Sequence, residues 1–456
     1  MPLACLICGE GQEKVVMTMK RVGFVISAGL TVAVAACGST EQGSHTVAVD
    51  RQQLGDTLRV HSLRPRFGDT ATLRKVAQIG VAEGEKRDML NDVTSFVELP
   101  DGRVVVADDQ GLRRFAPSGA FLDYLARPGQ GPGEVRYVVG MAVAPDGTLL
   151  AADLGNRRIN VYRSSGALEH WPLPPGMPGY GRHSITATRD GRVYVAYNPP
   201  VPSDGSPMHY PRALFVRLDS SGTVLDTLSA AVRFTVPCPT VSSLWWRAGF
   251  YEDVREPYFP KVKWALGPSG TLAVGCPLEY KVDMIRPDGS ILRIVRDWRP
   301  VTVPTEERRA FMTIETFAQR RSGYFKSWGW QGPEPPEEKP AYDRMIFGED
   351  GRLWVWPAHP SVKRDVPQEF IRQGLPRVQY TVRTAGAFDV FEPTGEYVGA
   401  VRLPEDVPYQ PFPGASDPFI RGDSVWAVRH DSLGVQYVAK YVVQWPVAAS
   451  GDANGT

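Results

Sequence analysis

The sequence predicts an all-β chain of six four-stranded antiparallel units, and three observations carry that prediction. A short Gly-containing turn recurs six times inside a strand–turn–strand pattern. A second turn recurs downstream of each, and the runs between turns alternate apolar and polar residues with the period of two that half-buried strands show. The clearest copy is 138–173, VVGMAVAPDGTLLAADLGNRRINVYRSSGALEHWPL. Its Asp146-Gly147 pair, set between alternating runs, is the strongest short hairpin signal, because a type I′ turn needs positive φ at both central residues.

In chain order, the N-terminus reads as an address. Met19-Lys20-Arg21 is a short positive segment and 22–34 an apolar stretch. That stretch is shorter than the roughly 18 residues that span a bilayer. Val34-Ala35-Ala36-Cys37-Gly38 then resembles a bacterial lipoprotein signal. The resemblance implies that Cys37 is lipidated and becomes the mature N-terminus. By bacterial sorting rules, the resemblance implies that Gly38 disfavours inner-membrane retention, so outer-membrane attachment facing the periplasm is the expectation and surface display the alternative. Residues 1–36 are therefore assigned to the signal with an upstream extension, Met17 or Met19 being the start. Residues 37–56 are the lipidated cysteine and a polar tether, and 447–456 a disordered tail. Cys5 and Cys8 form a C-x-x-C without the second pair or nearby His of a zinc or redox site. Signal removal leaves Cys37, Cys238 and Cys276. The last two can pair in an oxidising compartment, and the sequence leaves that open.

Of 456 residues, 51 are Lys or Arg and 50 Asp or Glu, so no global basic field exists to hold nucleic acid. The 45 Gly and 40 Pro suit many short strands and turns. Length alone suggests two or three domains, but the repeats assign 57–446 to one ring.

The first turns are Asp101-Gly102, Asp146-Gly147, Asp190-Gly191, Ser269-Gly270, Asp350-Gly351 and Gly422-Asp423, each followed by an apolar strand. The second turns are Ser118-Gly119, Ser165-Gly166, Ser221-Gly222, Asp288-Gly289 and Thr394-Gly395, with Ser432-Leu433-Gly434 as a degenerate sixth. Two turns per copy imply four strands. Such sheets bury their faces only against neighbours, which a radial arrangement provides: a six-bladed β-propeller. The chain resembles the NHL-like six-bladed propellers in their bacterial secreted form. The carriers are PDG-x₄-AD-x₃-RR-x₂-V at 145–161 and the preceding GQGPGE at 129–134, and the likeness covers about 73–445. The last copy has only three strands of its own, so 73–80 is expected to complete it. The strand 57–62, TLRVHS, has no partner that the sequence names.

Four insertions lengthen the later copies: 199–212, 229–262, 297–343 and 357–385. The third holds a helix, with Thr305 as N-cap, Glu306 and Glu307 in the first turn, and Ala310, Phe311, Ile314, Phe317 and Ala318 on one face, expected to pack on the propeller.

With strands A to D running outward from the axis, the A–B and C–D turns share one side of the disc. The B–C and D–A connections share the other, together with all four insertions. Rigid scaffolds carry binding sites on long loops, so the candidate binding face comprises Asp109, Asp153, Asn156, Arg157, Arg182, Glu279, Tyr280 and Arg429. Asp153 and Asn156 have an equally direct role in satisfying amides of their own turn. The aromatic cluster Trp245, Trp246, Phe250, Tyr251, Tyr258, Phe259 and Trp264 reads as the small core of an insertion before it reads as a ligand platform. His183, His359 and His430 come from three blades and would suit zinc or calcium, though without a local ligand spacing. No G-x-S-x-G elbow or P-loop occurs, and the glycines at 129–133 join two strands instead of opening a helix. The expectation is a lipid-anchored scaffold that binds a protein or small-molecule ligand, with no cofactor and no nucleic acid. The alternative, implied by the resemblance, is a Ca- or Zn-dependent hydrolase or lyase of lactonase-like type.

Overall fold

The computed structural model describes residues 49–68, 70–175, 177, 183–197, 214–229, 238, 244–247, 250–253, 258–321, 329–330, 334–366, 368–372, 377–382, 386–407 and 417–446. The signal, Cys37, most of the tether, the insertion 199–212, Arg182 and the tail 447–456 lie outside the described residues, as do the side chains of His183, Trp245, Trp246, Phe250 and Tyr251.

Six four-stranded antiparallel sheets follow one another. Blade 1 is Ser95–Glu98, Val104–Asp108, Gly111–Phe115 and Phe121–Pro128. Blade 2 is Val138–Val143, Leu149–Asp153, Arg158–Tyr162 and Leu168–Pro172. Blade 3 is His183–Ala187, Val193–Tyr197, Leu214–Leu218 and Val224–Ser229. Blade 4 is Lys263–Leu266, Leu272–Gly275, Lys281–Ile285 and Ile291–Val295. Blade 5 is Tyr342–Phe347, Leu353–Pro357, Ala387–Phe391 and Tyr397–Arg402. Blade 6 takes Phe419–Arg421, Ser424–His430 and Gln436–Gln444 from the C-terminal end and Thr72–Ile79 from the N-terminal end. The ring is thus a six-bladed propeller closed by the N-terminal strand, as its three-stranded last copy requires.

Six hydrophobic clusters fill the six blade interfaces. The largest lies between blades 5 and 6 around Trp354, Trp356 and Phe388. The smallest among the described residues lies between blades 3 and 4, with Tyr194, Ala196 and Phe215 buried and Trp264, Leu266 and Leu272 against them. First strands touch between blades 1 and 2, 2 and 3, 4 and 5, and 6 and 1, which places them at the axis.

In the A–B turns the glycine alone is left-handed, with φ between +77° and +89° at Gly102, Gly147, Gly191, Gly270 and Gly351, so the hairpins form without the type I′ turn expected from Asp-Gly. The degenerate sixth of the second turns is corrected: Ser432-Leu433-Gly434 joins strands B and C of blade 6, on the opposite side of the disc from the other five. Blade 6 has no C–D turn because its D strand comes from the other end of the chain.

The chain enters earlier than the tether boundary implies. Val49–Leu54 forms a hairpin with Thr57–Ser62, and Thr57–Ser62 adds in parallel to the outer strand of blade 4. The chain then runs along the edge of blade 5, where the amides of Arg66, Phe67 and Ala71 donate to the carbonyls of Tyr397, Val398 and Ala400. The partner of TLRVHS is therefore an edge more than two hundred residues away. One N-terminal strap covers blade 4, covers blade 5 and completes blade 6.

The insertion helix forms at Thr305–Arg321. It packs against Val378–Val382, one strand of the blade 5 insertion hairpin Ser361–Asp365 and Val378–Val382, so its support comes from the next insertion.

Candidate binding face

The strand pairing fixes which residues share a side of the disc. B–C loops and D–A connections lie together, and the insertions after blades 3 and 4 and inside blade 5 all occupy that side.

In blade 2 the local chemistry is structural. Asp153 is fully buried, and its carboxylate accepts the amides of Arg136, Tyr137 and Asn156 and the Asn156 side-chain amide at 2.8–3.3 Å. Asn156 also donates to the Gly129 carbonyl, and Arg158 donates to the carbonyls of Gly131 and Glu134. The DLGNRR loop therefore clamps the GQGPGE connector, and Arg157 takes φ +53° within it. Blade 1 repeats the idea with charge. The Asp108–Arg113 pair has no exposed side-chain surface, and Arg113 donates to the carbonyls of Arg87 and Met89. Burial pushes the Asp108 carboxyl up to about 6, opposed by the Arg113 guanidinium. Asp109 accepts from Asn91 at 3.0 Å. Both residues pin the 80–94 connection that follows the closing strand.

Tyr280 is the clearest correction. It is 2% exposed and points away from the binding face into the blade 4–5 interface. There the Tyr280 and Tyr397 hydroxyls donate to Asp389 at 2.7 and 2.9 Å. Arg296 pairs with the same carboxylate and lies over both rings. Glu279 stays at the surface, where its hydrogen bond to Lys281 lowers its pKa. Arg429 donates to Asp406 at 2.6 Å and to Gln78 at 2.8 Å, joining blade 6 to its closing strand.

Of the three histidines, His359 and His430 have described side chains, and each is held by partners in its own blade. The His359 ring meets the backbone of Ala387 in its own blade and stands edge-on to Trp356. His430 Nε2 meets the Gln436 amide at 3.1 Å, and burial lowers its pKa. Among the described residues no group of three or more His, Cys, Asp or Glu is placed to hold a metal ion.

Two constellations went unseen in the sequence. At the axial ends of the first strands on the long-loop side, Lys263 pairs with Asp343 at 2.5 Å and Arg344 pairs with Asp417. These alternating charges link the inner strands of blades 4 and 5 to the segment that enters blade 6. Their signal was charge within two or three residues of the start of the inner strands, where no turn motif draws attention. The second constellation joins the three insertions. Glu307 of the helix is 3% exposed and Lys339 6%, with Nζ 3.6 Å from the carboxylate. Glu307 accepts from Tyr258 and from Ser361. Lys339 donates to Ser361 Oγ at 2.6 Å and to the His359 carbonyl at 3.0 Å. Burial pushes the Lys339 ammonium down and the Tyr258 hydroxyl up. Three acceptors around one ammonium satisfy it as a cation, and two hydroxyl donors do the same for the carboxylate. Cys276, at the end of the second strand of blade 4, is joined to Cys238 of the first of these insertions in a disulfide.

No family model and no curated protein matches the chain. Among solved structures it is similar to a DUF4221-family protein of Bacteroides vulgatus, at 10% identity over 83% of this chain and 99% of that one, with a TM-score of 0.45. A putative exported protein of Bacteroides fragilis is similar at 12% identity, over 86% and 99% of the two chains, with a TM-score of 0.42. Virginiamycin B lyase of Staphylococcus aureus is similar at 12%, over 81% and 98%, with a TM-score of 0.36. The likeness concerns the fold and leaves the chemistry to this chain's own residues.

Proposed function

We propose that the chain is a lipid-anchored, extracytoplasmic binding scaffold, attached through Cys37 to the outer membrane and facing the periplasm, that engages a protein or small-molecule ligand through its long-loop face. The observation that supports this reading most is the Glu307–Lys339–Ser361–Tyr258 cluster. Three insertions from separate points of the chain are knit there into one platform on one side of a rigid ring. Buried, mutually satisfied charge is poor material for catalysis and good material for holding loops in a fixed arrangement.

The test is capture from cell envelopes with the full-length protein and with a variant whose 361–382 hairpin is replaced by a short turn. A ligand held by the first and released by the second supports the face. Equal capture by both overturns it. Cys37→Ser tests the anchor separately, and acylated protein still in the membrane fraction would refute it. Stoichiometric zinc or calcium in purified protein would instead support the hydrolase or lyase alternative.

A further inference from the structure

An open groove of about 630 Å³ runs along the outer edge of blade 1, away from the long-loop platform, lined by Arg87, Phe121, Leu122, Tyr124, Arg127 and Glu134 among others. Its floor is the outermost strand, Phe121–Pro128. On that strand's outer side, among the described residues, only Arg127 and Pro128 have a partner, the two-residue parallel strand Glu134–Val135. The backbone of residues 121–126 therefore offers unpaired donors and acceptors along an edge whose inner pairing is bulged at Leu122 and Leu125.

The molecule shows what such an edge accepts. The equivalent strand of blade 4 carries Thr57–Ser62 as an added parallel strand, and that of blade 5 is bonded to the segment around Arg66–Ala71, with a parallel bridge from Ala71 to Val401. Blade 1 has the start of the same arrangement in Glu134–Val135 and then an empty continuation. The walls add a preference. Arg127 stacks on Tyr124 with its guanidinium 4.2 Å from the ring centre, and it is exposed with no carboxylate partner among the described residues. Arg87 lies over Phe121 at the other wall, and Leu122 is 46% exposed. The other acids of the groove are already engaged: Asp123 with Arg114 and Glu134 with the Gly131 amide.

We propose that the blade 1 edge is a docking site for an extended segment of a partner protein, added as a parallel strand, with an acidic side chain of that segment paired to Arg127 and an apolar one against Leu122 and Tyr124. Main-chain bonds would supply the affinity, and the Arg127–aromatic wall the choice of sequence.

The probe is an acetylated, amidated octapeptide of alternating valine and glutamate, titrated into the full chain while amide exchange is followed residue by residue. Slowed exchange at residues 121–126 is expected. So is a loss of about tenfold or more in affinity when alternate peptide amides are N-methylated. R127E is expected to lose about as much for this peptide and to gain binding of the valine–lysine counterpart. That charge reversal separates a lost contact from a lost fold. The proposal is overturned if the N-methylated peptide binds equally, if R127E keeps the original preference, or if protection appears elsewhere than at this edge.

Discussion

The bond between Cys238 and Cys276 spans 38 residues, with its Cα atoms 5.4 Å apart. It ties the insertion that follows blade 3 to the buried end of a blade 4 strand, and blade 4 shares with blade 3 the smallest interface core among the described residues. Replacing the pair, as Cys238→Ser with Cys276→Ala to avoid burying a hydroxyl, releases a loop of that length in the unfolded chain. The chain-entropy relation puts the loss near 4 kcal/mol. Because the blade 3–4 core is small, that loss is expected to show locally before it shows globally. In native-state hydrogen exchange, 4 kcal/mol corresponds to about a thousandfold fall in protection. The fall should be concentrated at residues 193–197, 214–218, 263–266 and 272–275, with residues 104–108 and 149–153 on the far side of the ring little changed. Equal acceleration around the whole ring would refute the idea that this interface is the weak seam. Unchanged exchange everywhere would refute the brace itself.

Three further outcomes follow from the same geometry. Lys339→Ala strands the buried Glu307 carboxylate and should cost about 3–5 kcal/mol within the platform, seen as protease cutting in the insertions while the blades stay protected. Gly119→Ala and Gly166→Ala both force alanine to φ near +90°, but only at Gly119 would the new Cβ stand 2.0 Å from the Gln78 carbonyl oxygen of the closing strand, whereas Gly166 faces open space. Gly166→Ala is expected to cost about 1–2 kcal/mol and Gly119→Ala clearly more in urea melts, and equal losses would show that the turn does not brace closure. Burial lowers the folded-state pKa of His430, so the unfolded chain binds its proton first. Stability from this group is present above the ordinary value of 6.5 and lost as pH falls through the lower folded value, and His430→Gln should flatten that acid-side decline.

The architecture was legible because propeller turns advertise themselves. Asp-Gly and Ser-Gly pairs recur where positive φ is needed, and the missing strand of the last copy pointed to the N-terminus by simple counting. Ser432-Leu433-Gly434 misled for the same reason: it has the composition of a C–D turn, and only pairing shows that it joins B to C. The binding face was legible as a side of the disc and much less so as residues. Asp153 and Asn156 proved to be the clamp their D-x-x-N spacing also allowed. Tyr280 sits one residue from exposed Glu279, and nothing local tells that its ring turns into the blade interface to meet Asp389, 109 residues on. Lys263, Asp343, Arg344 and Asp417 were invisible because their partners belong to neighbouring blades. The insertion cluster was invisible because it joins three segments that share no motif.

The strap gives the N-terminal segment a second meaning. Val49 pairs with Ser62 at the open end of its hairpin, on the long-loop side, and the turn at Gly55 lies on the other side. A pull arriving through the chain at Val49 therefore meets one residue pair at a time and peels the first strand from the second, the weak direction for a ladder of hydrogen bonds. Beyond it the load meets Thr57–Ser62 on blade 4, where Val60 is fully buried, and then the bonds of Arg66, Phe67 and Ala71 to blade 5. Arg66 adds ion pairs to Glu392 and Glu396. Only after those are broken does the load reach Thr72–Ile79, the strand that closes the ring. If Cys37 carries the anchor, two edge additions stand between it and the closure, and because Val60 belongs to the blade 4–5 core and Ala71 to the blade 5–6 core, stripping the strap opens those two cores before the closing strand is loaded.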